Sequence, residues 1–286
     1  MESYVCIARQ LSAWAGRDPA LLAEEDVRRF FLFLKNDRGY AAQSMRQARA
    51  SLSAFYLEMP GCDWQVFATI KTRDVFKLPV VMSLEEVRRV LRTVKVARFA
   101  VCLRLIYECG LRLNEALQVQ TQDIERAGRR LHVRMGKGAK DRFVPLSSAM
   151  LDDLTEWWKK HRNPKWLFPS IGTAWKASTR TDARSQELSQ AEVMRQATQP
   201  MSESALQQVF HRAVLESRLA KKASIHTLRH SYATHLLEAG VNIRLISQYL
   251  GHATLEQTMV YTHLTAVSEA QTQAALAVLS ASLRQV

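Results

Sequence analysis

Four polar islands stand in this chain where a packing argument does not need them. GLRLNEAL places Arg112 directly after a buried helix stop, with Glu115 one turn further on. The turn GKGAK offers Lys137 and Lys140. IHTLRH sets His226 and Arg229 three residues apart, on one helix face. LGHATLEQTMVYTHL carries His252 and, nine residues later, Tyr261. Taken singly, each has an ordinary reading: a surface ion pair, a solvated turn, a cap, a helix stop, a packing tyrosine with a wet hydroxyl. Together they describe one chemistry. Two arginines can grip the non-bridging oxygens of a phosphodiester by bidentate, charge-assisted hydrogen bonds. Histidines can donate to the same oxygens or move a proton near neutral pH. A lysine can protonate a departing alkoxide. A tyrosine can attack phosphorus, provided its proton is taken or its pKa falls from ~10. Dense positive charge is expected to lower that pKa and to stabilise the pentacoordinate transition state. There is no HExxH and no clustered Asp/Glu set for paired magnesium ions, so neither a metal nor another cofactor is expected.

The elements that must position these residues are mostly helical. RFAVCLRLIYECG is nearly all apolar and reads as a central buried helix that stops at Gly110. Cys102 and Cys109, seven apart, share one face of it. RRLHVRM alternates, and with GKGAK and DRFVPLS it forms a β-hairpin with a Lys- and Gly-rich tip. Ser83 and Glu86 have capping-box spacing and mark a helix start. Gly240 and Gly251 are further helix stops. Thr254 and Gln257 have the same capping spacing, which predicts a fresh helix carrying Tyr261. Residues 171–200 are polar and poor in large apolar side chains, and read as an insertion with one helix around ELSQAEVMRQA. Upstream, ESYVCIARQLSAW, EEDVRRFFLFLKND and AAQSMRQARASLSAFYLEM have helical periodicity and form a small bundle.

Charge points to the partner. The chain of 286 residues has a net charge of +13 and is 47% apolar, enough for real cores. Residues 1–79 carry only +2 of that excess, leaving +11 for residues 80–286. Such an excess suits a polyanion, of which nucleic acid is the commonest. The four cysteines show no CxxC spacing and read as reduced thiols. No secretory signal and no bilayer-spanning apolar run is visible, so a cytoplasmic location and no membrane partner are expected.

The order GLRLNEAL, GKGAKDRFVPL, HTLRHSYATHLLEAG, LGHATLEQTMVYTH resembles the tyrosine recombinase (phage integrase) family, of the Xer-like kind, across roughly 80–265. The resemblance implies a mainly α fold with a small antiparallel β-hairpin or sheet. It implies a helical core-binding domain at 1–70, a linker at 71–79 and a catalytic domain at 80–286 with a C-terminal tail at 265–286. The two domains would clamp DNA in a C-shape. Carried over by position, Tyr261 is the nucleophile, Arg112 and Arg229 the phosphate clamp, and His226 the proton-transfer partner. His252 is a further phosphate donor, Lys137 the hairpin lysine, and Glu115 the brace of the first arginine. Lys71, Arg73 and Lys77 in the linker, with Lys140 and Arg142 around the hairpin, are expected DNA contacts. The implied activity is site-specific recombination or integration through a 3′-phosphotyrosyl intermediate, without metal or ATP. The implied working unit is a homotetramer on two double-stranded recombination sites. Two rivals stand beside this reading. A type IB topoisomerase uses a similar site to relax supercoils, but the compact N-terminal bundle argues against it. A non-catalytic DNA-binding relative would be expected to have lost a member of the polar set.

Overall fold

The computed structural model describes residues 2–59, 62, 64–70, 78–134, 141–172 and 190–263. The fold is mainly α with one small antiparallel sheet, and the chain divides into two compact units, Met1–Lys77 and Leu78–Val286.

In the first unit, α1 (Glu2–Ala15), α2 (Glu24–Asn36), α3 (Ala42–Leu57) and the single turn α4 (Val66–Thr69) surround an aromatic core. Helix α2 shows how the pattern builds it: Val27, Phe30, Phe31 and Leu34 recur at helical spacing and are all buried. The Tyr56 hydroxyl donates to the Pro19 carbonyl at 2.7 Å. The Glu24 carboxylate accepts from the Val66 amide at 2.6 Å and so ties α4 to α2.

The second unit starts at α5 (Leu84–Thr93), where Ser83 and Glu86 form the expected capping box. Helix α6 (Ala97–Cys109) runs through the core, with Cys102 and Cys109 fully buried. It ends on Gly110 at φ 59°, a left-handed conformation that favours glycine. A Cβ there would also stand 2.5 Å from the Tyr232 ring, so the chain can reverse here only without a side chain. Helix α7 (Leu113–Leu117) follows at once, which places Arg112 at its N-cap.

Strands β1 (Ile124–Glu125), β2 (Arg130–Val133) and β3 (Arg142–Pro145) form a three-stranded antiparallel sheet in sequence order. Leu131 pairs with Val144, and both face the core. The expected hairpin is therefore present with one short strand added. Its tip, residues 135–140, lies outside the described residues, as do residues 71–77, 173–189 and 264–286.

Helix α8 (Ser148–His161) packs on α6, followed by α9 (Gln190–Gln196), α10 (Glu203–Glu216), α11 (Ile225–Glu238), α12 (Ile243–Leu250) and α13 (Glu256–Met259). The stretch 171–200, expected as a polar insertion with one helix, carries that helix at Gln190–Gln196, and its last residues are anchored. Met194 is buried, Asn163 Nδ2 donates to the Met194 and Ala197 carbonyls, and Trp166 Nε1 donates to the Thr198 carbonyl. A few well-placed apolar and amide groups anchor a stretch whose composition reads as polar. Among the described residues no helix is long and apolar enough to cross a membrane.

Candidate active site

One carboxylate organises the cations. Glu115, on α7, accepts from the Arg112 amide at 2.8 Å and from Arg112 Nη1 at 2.7 Å. It also accepts from Arg142 Nη1 at 3.0 Å and Nη2 at 2.7 Å. Arg229 Nη1 lies 3.8 Å from the same carboxylate. Burial alone would raise the Glu115 pKa, but Arg142 first, and then the amide and guanidinium of Arg112, hold it down at about 2. A single buried anion thus keeps three guanidiniums close together.

The arginines are further fixed by helix ends. Arg229 is only 2% exposed, and donates through Nη1 to the Gly110 carbonyl and through Nη2 to the Leu250 carbonyl, both at 2.6 Å. These are terminal carbonyls of α6 and α12, which have no partner within their own helices. Arg112 Nη2 does the same for the Gly251 carbonyl at 3.1 Å. Each terminal nitrogen has a second hydrogen, so both guanidiniums keep donors for another acceptor. Arg229 has its pKa lowered to about 10, by burial first and then by Arg112, which leaves it charged at neutral pH.

Arg142, expected to contact DNA, is turned inward. Its side chain is buried and committed to Glu115 and to the Tyr249 carbonyl, 2.7 Å from Nε. The reason is strand alternation. Arg142 is two residues from Val144, so both point to the buried face of β3 while Phe143 points out. It also packs against Gly251, where a Cβ would stand 2.9 Å from Arg142 Nη1.

Tyr261 lies in a 3₁₀ turn, Val260–His263, after the single turn α13. The predicted Thr254/Gln257 capping box is not formed: α13 begins at Glu256 with Leu255 at its N-cap and no side-chain cap. Tyr261 is 3% exposed, and its hydroxyl is hydrogen-bonded to His230 Nδ1 at 2.9 Å. Its pKa is raised, because burial outweighs the opposing pull of Arg229 and Arg112. The lowered value expected from positive charge alone is therefore not found. The charges act in the expected direction, but desolvation of the phenolate is larger.

Two histidines, His230 and His252, flank this phenol, and His226 packs on the first of them. His252 lies nearly parallel to the Tyr261 ring, with centroids 6.4 Å apart, and its Nδ1 is paired with Thr258 Oγ1 at 2.7 Å. Burial and then Arg229 and Arg112 lower its pKa to about 3. His226 and His230, one turn apart on α11, meet edge to face at 5.1 Å. His226 is exposed, and its pKa is lowered by partial burial, Arg229 and Arg112. Sequence reasoning misses His230, although its signal is present: it stands four residues after His226 and so shares its face.

Arg112, Glu115, His226, Arg229, His252 and Tyr261 thus fall in one neighbourhood of the second unit. Lys137, Lys140, Lys71, Arg73 and Lys77 lie outside the described residues. Chemically, the arrangement offers two anchored cations with free donors, neutral imidazoles and a phenol within electrostatic reach of both guanidiniums.

Comparison with known proteins gives a consistent result. Residues 81–267 match the phage integrase family, and residues 1–66 match the phage integrase N-terminal SAM-like domain. An integrase/recombinase of Escherichia coli is 32% identical over 94% of this chain and 85% of its own length. Tyrosine recombinase XerD of Oceanobacillus iheyensis is 29% identical, over 82% of this chain and 76% of its own. Among solved structures, a lambda integrase fragment bound as a dimer to a COC′ core site aligns with a TM-score of 0.66 at 16% identity, covering 90% of this chain and 86% of that one. The XerH recombinase bound to its difH substrate aligns with a TM-score of 0.62 at 21% identity, covering 90% and 71%. At these identities the structural likeness is one of fold.

Proposed function

This chain belongs to the phage integrase family of tyrosine recombinases, and from that premise we propose that Tyr261 is the nucleophile of its strand-transfer reaction and Arg112 and Arg229 the phosphate clamp. The enzyme is a site-specific recombinase that breaks and rejoins double-stranded DNA. Tyr261 Oη attacks the scissile phosphorus, a 3′-phosphotyrosyl bond forms, and the 5′-oxygen leaves as a hydroxyl. The new ester keeps the energy of the old one, so rejoining needs no ATP. Attack by the 5′-hydroxyl of a partner strand gives recombination; attack by the original one restores the starting strand.

The observation that carries this reading is the clustering of two anchored guanidiniums around Glu115 with the Tyr261 phenol in their field. Donors fixed in advance on the transition-state oxygens supply the greatest part of the rate enhancement in many such sites. His226 is exposed beside Arg229 and suits proton transfer at the phosphate. His252, uncharged at neutral pH, suits a hydrogen bond to a non-bridging oxygen rather than an ion pair. Lys137 is assigned the protonation of the leaving 5′-oxygen, on sequence grounds alone. Arg142 is assigned with Glu115 to bracing the clamp. Lys71, Arg73, Lys77 and Lys140 are assigned to the DNA backbone. The domain division 1–70, 71–79 and 80–286, a homotetramer on two sites and a cytoplasmic location belong to the same reading.

The test is a nicked recombination site that traps covalent protein. Tyr261→Phe keeps the ring and removes only the attacking oxygen. It should bind the DNA as the unaltered enzyme does and yield no adduct. An adduct from this variant would move the nucleophile elsewhere, and Tyr249 would be examined next.

A further inference from the structure

His230 is not among the residues assigned above, yet it is the side chain that touches the attacking oxygen. Its Nδ1 lies 2.9 Å from Tyr261 Oη, and among the described residues that hydroxyl has no other side-chain hydrogen bond. We propose that His230 takes the proton from Tyr261 Oη as that oxygen attacks phosphorus, and gives it back when the strand is rejoined. The inference rests on Tyr261 being the nucleophile.

Geometry comes first. A general base must be within hydrogen-bond reach of the proton it removes. His230 is; His226 packs edge to face with the His230 ring, centroids 5.1 Å apart, and it is His230 that is hydrogen-bonded to the phenol. The base is also held on a rigid element. Its neighbour Arg229 is locked to the Gly110 and Leu250 carbonyls. Ser231, next in the chain, donates to the Thr227 carbonyl and accepts from the Met82 amide. The segment of α11 that carries His230 is thus fixed to three other parts of the unit.

The protonation state agrees. The ionisable groups around His230 are His226 and Arg229 from its own helix, and His252 and Tyr261 from the chain packed against it. Burial first, then His226 and Arg229, keep the imidazole neutral, with a pKa of about 4. A neutral ring with its proton on Nε2 presents the Nδ1 lone pair to the phenol. An arriving phosphodiester adds a negative charge next to the ring and favours the imidazolium that proton transfer creates. The step balances. The Oη–P bond forms, the P–O5′ bond breaks, the Oη proton moves to Nδ1, and the 5′-oxygen takes a separate proton from the acid. Rejoining reverses each move. No oxidant, reductant or metal enters.

The experiment separates proton transfer from positioning. In His230→Asn the amide Oδ1 stands close to where Nδ1 stood, so it still accepts a hydrogen bond from Tyr261, but it is not a base. Covalent-complex formation on the nicked site is followed in single turnover from pH 6 to pH 9. The variant should bind DNA normally and react ~100-fold more slowly. Its rate should climb by roughly tenfold per pH unit, as the phenol must then ionise to solvent, while the unaltered enzyme stays nearly flat. Replacing Tyr261 by 2,3-difluorotyrosine, whose phenol ionises more easily, should restore most of the lost rate. His230→Gln serves in the same assay if the Asn protein does not fold. A variant that reacts within ~3-fold of the unaltered enzyme with the same pH profile shows that the ring only orients the hydroxyl, and overturns the proposal. So does a slow variant with a flat profile and no rescue by the fluorinated residue. Tyr261→Phe is run beside them: an adduct there would defeat the nucleophile assignment itself, a failure that the His230 variants alone do not produce.

Discussion

In the unit Met1–Lys77 the buried side chains are almost all apolar or aromatic. Phe30 and Phe33 stack, and Tyr56 and Trp64 lie with ring centroids 4.3 Å apart. Among the described residues, Ser51 is its buried polar exception. In the unit Leu78–Val286 the interior also holds Arg229, Arg142, Asp123, His161 and Asn163. The first interior is stabilised by removing apolar area from water, a force without direction that tolerates small changes. The second also depends on paired charges such as Arg142 with Glu115, because removing one partner of a buried pair leaves an uncompensated charge that costs several kcal/mol. A core of that kind is a weaker way to build stability. Here it holds the guanidiniums of Arg112 and Arg229 around Glu115, the pair proposed above to clamp the phosphate. The proposed site and the fragile, charge-paired interior therefore coincide in the second unit.

The comparison breaks most easily at Glu115. Glu115→Gln removes the anion that faces Arg112 and Arg142 and stands near Arg229. The second unit should lose about 3–5 kcal/mol, and covalent-complex formation should fall with it. Urea unfolding followed by hydrogen exchange would read each unit separately. A loss below about 1 kcal/mol would mean that the cluster is not held by its carboxylate.

Mild acid should sharpen the contrast without any substitution. All eight histidines lie beyond residue 131, none of them in the first unit. His161 and His230 have pKa values lowered to about 4, and His252 to about 3, by burial first. Unfolded imidazoles titrate near ~6.5. As pH falls below that value the unfolded state binds protons before the folded one does, so stability is lost from about 6.5 down towards 4. Amides of 84–134, 141–172 and 190–263 should lose exchange protection over this range while those of 2–59 keep theirs. Equal loss in both units would remove the assigned cause.

The smallest effect belongs to the aromatic core. Tyr56→Phe deletes the hydrogen bond to the Pro19 carbonyl and keeps the ring packing. It should cost the first unit about 1 kcal/mol and leave covalent-complex formation on bound DNA unchanged. A cost of several kcal/mol would show that this core also depends on directed polar contacts.

Much of this was legible in the sequence. The helix stop at Gly110, the capping box of Ser83 and Glu86, and the buried pair Cys102 and Cys109 follow from local rules, since a helix end or a helix face is settled within one or two turns. Four short motifs in a fixed order carried the family resemblance, because each motif keeps its site residues at local spacing. The failures share a different cause. The pKa of Tyr261 depends on how deeply the 3₁₀ turn is buried, and no local pattern reports that. The anchoring of residues 190–200 depends on Asn163 and Trp166, some thirty residues upstream.

The sequence by itself determined most of the residue types in the site and which of them are local neighbours: Arg112 with Glu115 at one helix start, and His226 with Arg229 on one helix face. Short-range geometry fixes such pairs before any packing occurs. The tertiary structure alone decided that Arg142 turns inward to Glu115, that Arg229 bridges the ends of α6 and α12, and that the Tyr261 hydroxyl meets His230 and not His226. Each of those contacts joins elements far apart in the chain. Their energies come from desolvation and charge pairing, which exist only once the elements have packed.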